Sequence, residues 1–89
     1  MIFISLIKFK QAPTKGELAK IDKLWAEIPK KGFKILSCYW TLGRFDGVVI
    51  FEAPTEREAM KFAIESAKQG LSSMETLVAI QRKEAIKLL

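Results

Sequence analysis

The sequence lacks histidine and asparagine and has one cysteine, Cys38, among its 89 residues. Without histidine it has neither the most common general base nor the most common metal ligand, which excludes Ser–His–Asp catalysis and disfavours a metal site. It also has no glycine-rich phosphate loop, so we expect no cofactor. A single cysteine forms no internal disulfide, and Cys38 lies among alternating apolar residues, which favours a small packing residue over a nucleophile.

Long hydrophobic runs are also missing. Residues 1–7 are apolar but lead straight into Lys8 and Lys10, without the charged leading segment and small-residue cleavage site of a signal peptide. No run approaches membrane-spanning length. We therefore expect no membrane partner and a cytoplasmic location. The absence of asparagine together with many Lys and Glu residues is also typical of proteins from thermophiles.

The chain is instead rich in apolar and basic residues. It is 49% apolar with a net charge of +5, and its length predicts a single domain over residues 1–89. A domain this short buries a small share of its surface, so it gains stability from a partner subunit. The lysines are scattered, which favours a solvated basic surface over a nucleic-acid interface. A basic stripe would require five of them to converge in space: Lys8, Lys10, Lys30, Lys31 and Lys34.

Hydrophobic periodicity and turn signals predict the order strand, helix, hairpin, helix, strand. Strands are predicted over residues 2–10, 33–42, 46–52 and 73–82. The first helix ends before Pro29, and its apolar residues recur at helical spacing: Leu18, Ile21, Leu24, Trp25 and Ile28. This order is typical of the ferredoxin-like α+β fold, a four-stranded antiparallel sheet with both helices on one face.

The helix boundaries carry their own signals. Capping boxes are predicted at Thr14 with Glu17 and at Thr55 with Glu58, because a hydroxyl precedes a carboxylate by three residues. The second helix is predicted over residues 56–69, and Gly70 suits the position just past its end. Residues 83–89 predict a short terminal helix.

Gly43 and Arg44 predict a two-residue hairpin turn, which pairs Trp40 with Gly47 and leaves room there for the Trp40 indole. Because side chains alternate, one face of the hairpin is almost wholly apolar and is expected under the helices: Leu36, Cys38, Trp40, Leu42, Phe45, Val49 and Phe51. The other face is mixed, apolar in its middle and polar around it: Ser37, Tyr39, Thr41, Asp46, Val48, Ile50 and Glu52.

The first strand indicates that this second face is also covered. Both of its alternating sets are apolar, whereas a sheet open to water should be apolar on one side only. Since both helices lie on one face, we expect the same face of another subunit to cover the other. Two facing sheets would enclose a cleft for a small metabolite, such as an amino acid, lined by Tyr39, Thr41, Asp46 and Ser5, with Arg44 at its rim.

Two interpretations of Asp46 remain open. It could bind a ligand amine or act as a general base, or it could accept backbone N–H bonds near the turn, which is the favoured alternative. A small cofactor-free enzyme would depend mainly on Asp46 and on Tyr39, whose hydroxyl could contact a ligand. This is a poor set of groups, so a non-enzymatic role is favoured.

Nucleic-acid binding is tested by the third strand, since RNA-recognition domains share this fold. Those domains place stacking aromatic residues where this chain has Asp46 and Val48. A carboxylate repels phosphate and valine has no π face for a base, so nucleic acid is an improbable partner.

Several short patterns occur in a recognisable order: Ile4–Phe9, then YWTLGRFDGVV over residues 39–49, then Glu52-Ala53-Pro54 and Glu75-Thr76-Leu77. Together they resemble the GYD domain family, with Phe45 where that family has Tyr. The resemblance implies a dimeric ferredoxin-like α/β barrel and little chemistry. The same segment is similar to the effector-binding domain of leucine-responsive (Lrp/AsnC-type) regulators, which implies a small-molecule site near Asp46 between subunits.

Overall fold

The computed structural model describes residues 1–28 and 31–89, and the predicted helix stop at Pro29 and the Lys30 part of the basic stripe lie outside them. The strands are β1 Ile2–Phe9, β2 Lys34–Trp40, β3 Gly47–Glu52 and β4 Ser72–Ala79. The helices are α1 Lys15–Glu27, α2 Glu56–Ala67 and α3 Arg82–Ile86. The predicted order of elements is confirmed, including the short terminal helix.

The sheet has the strand order β2-β3-β1-β4, and all three neighbouring pairs are antiparallel. The two long helices lie on one of its faces, since Trp25 of α1 contacts Phe62 of α2, and Phe62 contacts Phe51 of the sheet. The ferredoxin-like α+β fold predicted from the sequence is therefore confirmed.

The core between α2 and the sheet is built on phenylalanine rings. Phe3 and Phe51 stack at 5.4 Å between ring centroids, and Phe62 meets Phe51 at 4.8 Å. All three rings are almost completely buried. Burial of such rings contributes most to the stability of a domain this small. The contacts between α2 and the sheet are therefore the main stabilising contacts of the fold.

Both threonine caps form, but the complete capping box predicted for the two helices is present at α1 only. At α1 the capping box is complete: the Glu17 N–H donates to Thr14 Oγ1 at 3.1 Å and the Thr14 N–H donates to Glu17 Oε1 at 2.9 Å. At α2 the Glu58 N–H donates to Thr55 Oγ1 at 3.2 Å. These bonds satisfy backbone donors that no helical carbonyl reaches.

The pairing of β2 with β3 confirms Trp40 opposite Gly47 and Cys38 opposite Val49, but a β-bulge alters the rest of β2. Ile35 pairs with Phe51 and Ser37 with Ile50, so Leu36 is an extra residue on β2. A bulge shifts the side-chain alternation by one position. Ile35 therefore packs against the core, and the prediction that Leu36 lies under the helices is wrong, since it is 40% exposed.

The connection between β2 and β3 is longer than the predicted two-residue turn, because β2 ends at Trp40 and β3 begins at Gly47. Gly43 does adopt the expected positive φ, 106°. The strand alternation does not extend into this loop, so the prediction of Leu42 and Phe45 under the helices is wrong. Leu42 is fully exposed, and Phe45 lies beside Leu6 on the other side of the sheet.

Gly47 lies close to the backbone of β2. A Cβ atom at this position would have the Tyr39 carbonyl oxygen at 3.3 Å and the Ile7 side chain at 3.7 Å among its three nearest contacts, and no atom of Trp40. The missing side chain thus allows close approach of β2 and β1 to β3. Trp40 itself lies on the helical side but remains 63% exposed.

The sheet face that the helices leave uncovered is apolar along its centre. Alternation from the buried residues of β1 and β3 places six aliphatic side chains on it: Ile2, Ile4, Leu6, Val48, Ile50 and Leu77. Five of them are partly accessible and Leu77 is 41% exposed. We call this set the open face. Within residues 1–28 and 31–89, none of the helices combines the length and apolar character needed to cross a membrane.

Candidate functional site

Asp46 lies at the junction of the β2–β3 loop with the sheet and is bound to the first strand. Its Oδ2 atom accepts the Phe9 N–H at 2.8 Å, and its own N–H donates to the Ile7 carbonyl oxygen at 2.7 Å. Its carbonyl oxygen accepts the Thr41 N–H at 2.9 Å. These contacts match the structural interpretation of Asp46, in which the carboxylate accepts backbone N–H groups and fixes the loop.

The other polar groups of the loop are also engaged locally. The Thr41 hydroxyl donates to the Phe45 carbonyl oxygen at 2.7 Å, and Lys8 Nζ donates to the Arg44 carbonyl oxygen at 3.2 Å. Thr41 and Asp46 share a groove at the end of the sheet with Trp40. Their hydrogen bonds give the loop a defined shape, so its outward side chains project from a fixed base.

Arg44 lies in a different groove, on the side of the open face. We define the loop groove by Leu6, Lys8, Arg44, Phe45, Ser73, Met74 and Glu75; its volume is about 360 Å³. The Arg44 guanidinium lies 5.6 Å from the centroid of the Phe45 ring, in cation–π geometry. Two cations and the Glu75 carboxylate thus surround one depression, an arrangement that suits a ligand with both charges.

The predicted site residues do not form one cluster. Tyr39 is 60% exposed on β2. Because β2 and β4 are the two edge strands of the sheet, Tyr39 lies at the opposite edge from the loop groove. Ser5 lies on the covered face, completely buried, with its hydroxyl 2.9 Å from that of Thr76. The expectation that Ser5 lines a cleft on the open face is therefore wrong. Because both alternating sets of β1 are apolar, its faces could not be told apart before the pairing was known.

A second cavity lies between α1 and the sheet. We define the α1 cavity by Leu18, Ile21, Asp22 and Trp25 of α1 together with residues of the sheet and of α2, among them Phe9, Cys38, Trp40, Gly47, Ser66 and Ser72. Its volume is about 90 Å³. No motif in the sequence predicted this cavity. The signal that could have revealed it is the small size of Cys38, Gly47, Ser66 and Ser72, which face the apolar side of α1.

Electrostatics links two residues of this cavity. Partial burial raises the pKa of the Cys38 thiol, and the Asp22 carboxylate raises it further because it disfavours a nearby thiolate. Cys38 is accordingly a weak nucleophile at neutral pH, as its sequence context predicts. Within the described part of the chain, no group of three or more acidic or cysteine side chains is placed to hold a metal ion.

The chain matches the model of one protein family over most of its length. The model of the GYD domain matches residues 3–89, which is nearly the whole chain and includes both the β2–β3 loop and β4. No curated protein sequence matches the chain. The protein therefore belongs to the GYD domain family.

Proposed function

We propose that this domain is a self-associating module in which two copies pack open face to open face and the loop groove becomes a small-molecule cleft between them. The observation that carries the proposal is the open face itself. Its aliphatic side chains lie in a contiguous patch across three strands, where water contacts a surface that resembles the core.

The same face of a second copy is a suitable cover, because a two-fold axis brings identical patches together. Sheets that pack face to face keep their inner residues interdigitated, and aliphatic residues such as Val48 and Ile50 are typical of such layers. Leu77, which is 41% exposed, would lose water contact in the pair. Burial of this apolar area is the driving force for association.

The loop groove adjoins the open face through Leu6, so pairing would shelter it. Arg44 and Lys8 supply the charge that a carboxylate requires, and Glu75 supplies the charge that an ammonium group requires. This combination supports an α-amino acid, or a metabolite with the same two groups, as the ligand. Tyr39, on the far side of the open face, would contribute to the contact between subunits.

Sedimentation tests the association. We expect the wild-type chain to sediment as a dimer or larger form at micromolar concentration, and Ile50→Lys, which places a charge on the open face, to be monomeric. Leu77→Lys is a second variant at a more exposed position and should have the same effect. Ile64→Lys is the matched control, because Ile64 is 48% exposed on α2. A wild-type chain that is a folded monomer at about 100 μM would refute the proposal, since a specific interface is stable at that concentration.

Thermal melting with a panel of L-amino acids tests the cleft. A ligand at ten times its Kd should raise Tm by roughly 5–10 °C in a chain of this size. Arg44→Gln should abolish the shift, whereas Arg57→Gln, the same change at an exposed position on α2, should not. The absence of any shift across the panel would leave association as the only function proposed here.

The alternative of a cofactor-free enzyme gains no support from a specific observation. Asp46, the proposed base, uses its carboxylate to accept the Phe9 N–H and is part of the loop architecture. Tyr39 lies on the edge strand β2, where it is 60% exposed and is not sheltered in a pocket on the open face. These contacts favour the binding module over the enzyme.

A further inference from the structure

The α1 cavity is lined almost wholly by apolar and small residues, with the single acidic residue Asp22 among them. We propose that it is a second small-molecule site, contained within one protomer, that takes a compact apolar amine: a single aromatic ring or a short branched chain with a cationic end. This proposal does not depend on the pairing of subunits, because the cavity lies between α1 and the helical side of the sheet and not on the open face.

The space exists because α1 packs incompletely. None of its residues is buried, although Leu18, Ile21 and Trp25 point an apolar stripe at the sheet. Opposite them stand the small residues Cys38, Gly47 and Ser72, which do not fill the gap. Protein interiors are normally packed as densely as organic crystals. A gap between a helix and its sheet leaves side chains without packing partners, and a ligand can supply these missing contacts.

The walls favour an apolar ligand. Trp25 and Trp40 line the cavity together with Phe9, whose ring centroid lies 5.2 Å from that of Trp40. Trp40 is on the helical side of the sheet yet 63% exposed, so a molecule seated against it would remove a large indole surface from water. The Trp25 Nε1–H is engaged, since it donates to Ser66 Oγ at 3.2 Å, and it leaves the indole face as the contact surface.

The size of the cavity limits the ligand. An apolar cavity of roughly 150 Å³ holds benzene. The α1 cavity, at about 90 Å³, holds part of one ring or a short branched chain and leaves the remainder of the ligand outside. Larger ligands such as nucleotides do not fit this space.

The charge of the cavity selects the polar end of the ligand. Among the described residues that line it, Asp22 is the only one with a formal charge. Asp22 lines the cavity and is itself exposed to solvent, so its carboxylate is accessible to the cationic end of a ligand. The site is therefore acidic in a chain of net charge +5, so it favours an ammonium group over a carboxylate, against the overall potential of the protein.

Tryptophan fluorescence gives a direct readout, because Trp25 and Trp40 are the only two tryptophans of the chain and both line the cavity. The probes are benzylamine, benzyl alcohol and benzoate, which share a ring and differ in charge. We expect saturable changes in emission with Kd of about 1 mM for benzylamine, about five-fold weaker binding for the alcohol and the weakest for benzoate. Equal affinity for amine and alcohol, or no saturable change with benzylamine, would overturn the proposal.

Variants separate the cavity from the rest of the molecule. Asp22→Asn should remove the preference for benzylamine over benzyl alcohol, and Glu27→Gln on the same helix should retain it. Ser72→Leu, which fills the cavity, should weaken all three probes, whereas Ser73→Leu at the next position, which lines the loop groove instead, should not. A Ser72→Leu protein that is folded by circular dichroism and binds benzylamine as tightly as wild type would contradict the assignment.

The same titration on Ile50→Lys distinguishes this proposal from the pairing of subunits. Retained benzylamine binding in a monomeric variant supports a site within one protomer. Loss of binding in that variant, while its fold is intact, would show that the site needs a partner and would refute the proposal made here. Failure of the wild-type chain to associate would leave the cavity proposal standing.

Discussion

The two faces of the sheet are built from the same strands and differ in how they are covered. On the helical face, Phe3, Val49 and Phe51 are at most 2% exposed. On the open face their immediate neighbours Ile4, Val48 and Ile50 are only partly buried, although they are equally apolar. The comparison teaches that a strand with apolar residues on both sides requires cover on both faces. Within one protomer, only the centre of the helical face is covered in this way.

The strongest test of this comparison uses adjacent residues of β3. Phe51→Ala should lower the free energy of unfolding by about 3–5 kcal/mol, because it leaves a cavity among the core rings, and the loss should be the same at every protein concentration. Ile50→Ala should have a smaller effect that depends on concentration, since it weakens association. Urea unfolding at two protein concentrations measures both. A concentration-independent loss for Ile50→Ala would contradict the difference between the faces; Phe51→Leu is available if Phe51→Ala does not fold.

Asp46 provides a test at the end of the sheet. Asp46→Ala should cost about 1–3 kcal/mol, because the Phe9 N–H loses a charged acceptor at 2.8 Å. Asp46→Asn keeps an acceptor oxygen and should recover most of this loss. Thermal unfolding of the two variants checks the expectation. If both variants were as stable as wild type while binding of a ligand was lost, Asp46 would serve the ligand and not the loop.

Ser5, on the covered face, provides a test with a smaller expected effect on stability. Ser5→Ala should cost about 1 kcal/mol, because the partly buried hydrogen bond with Thr76 at 2.9 Å is lost. Ser73→Ala, on the opposite face of β4, should be close to neutral for unfolding. A neutral Ser5→Ala would show that this hydroxyl pair contributes nothing to the packing of β1 on β4.

The smallest effect concerns the Cys38 thiol. Because burial and Asp22 raise its pKa in the folded state, the pH midpoint of alkylation should be higher for the native protein than for the chain unfolded in urea. The unfolded thiol ionises first as the pH rises, so the folded state loses stability above the ordinary thiol pKa. Asp22→Asn should lower the native midpoint, and Glu27→Gln should not. A native midpoint at or below the unfolded one would contradict this account of the cavity.

The sequence was informative where the signal is local. The capping hydroxyl of Thr14, the positive φ of Gly43 and the pairing of Trp40 with Gly47 all follow from residue types within a few positions, and the structure confirms them. The bulge at Leu36 was not predictable, because Ile35 and Leu36 are both aliphatic and either could face the core. The side of Ser5 was ambiguous for the same reason.

The α1 cavity escaped prediction for a different reason. The cavity is lined by small residues from four segments that are distant in sequence and come together only in the fold: Cys38, Gly47, Ser66 and Ser72. The candidate site residues were also separated by topology: Arg44 projects to the loop groove, while Tyr39 lies on the far edge strand. Local sequence patterns do not show which distant residues come together, because this depends on the order of the strands in the sheet.

The central claim is that a second copy covers the open face, and small-angle X-ray scattering tests it most directly. One protomer has a Cα radius of gyration of 13.7 Å. Two protomers with their sheets packed ~10 Å apart should give about 17 Å, with twice the mass from the forward scattering. A radius near the protomer value, with the mass of a single chain at about 100 μM, would contradict the account.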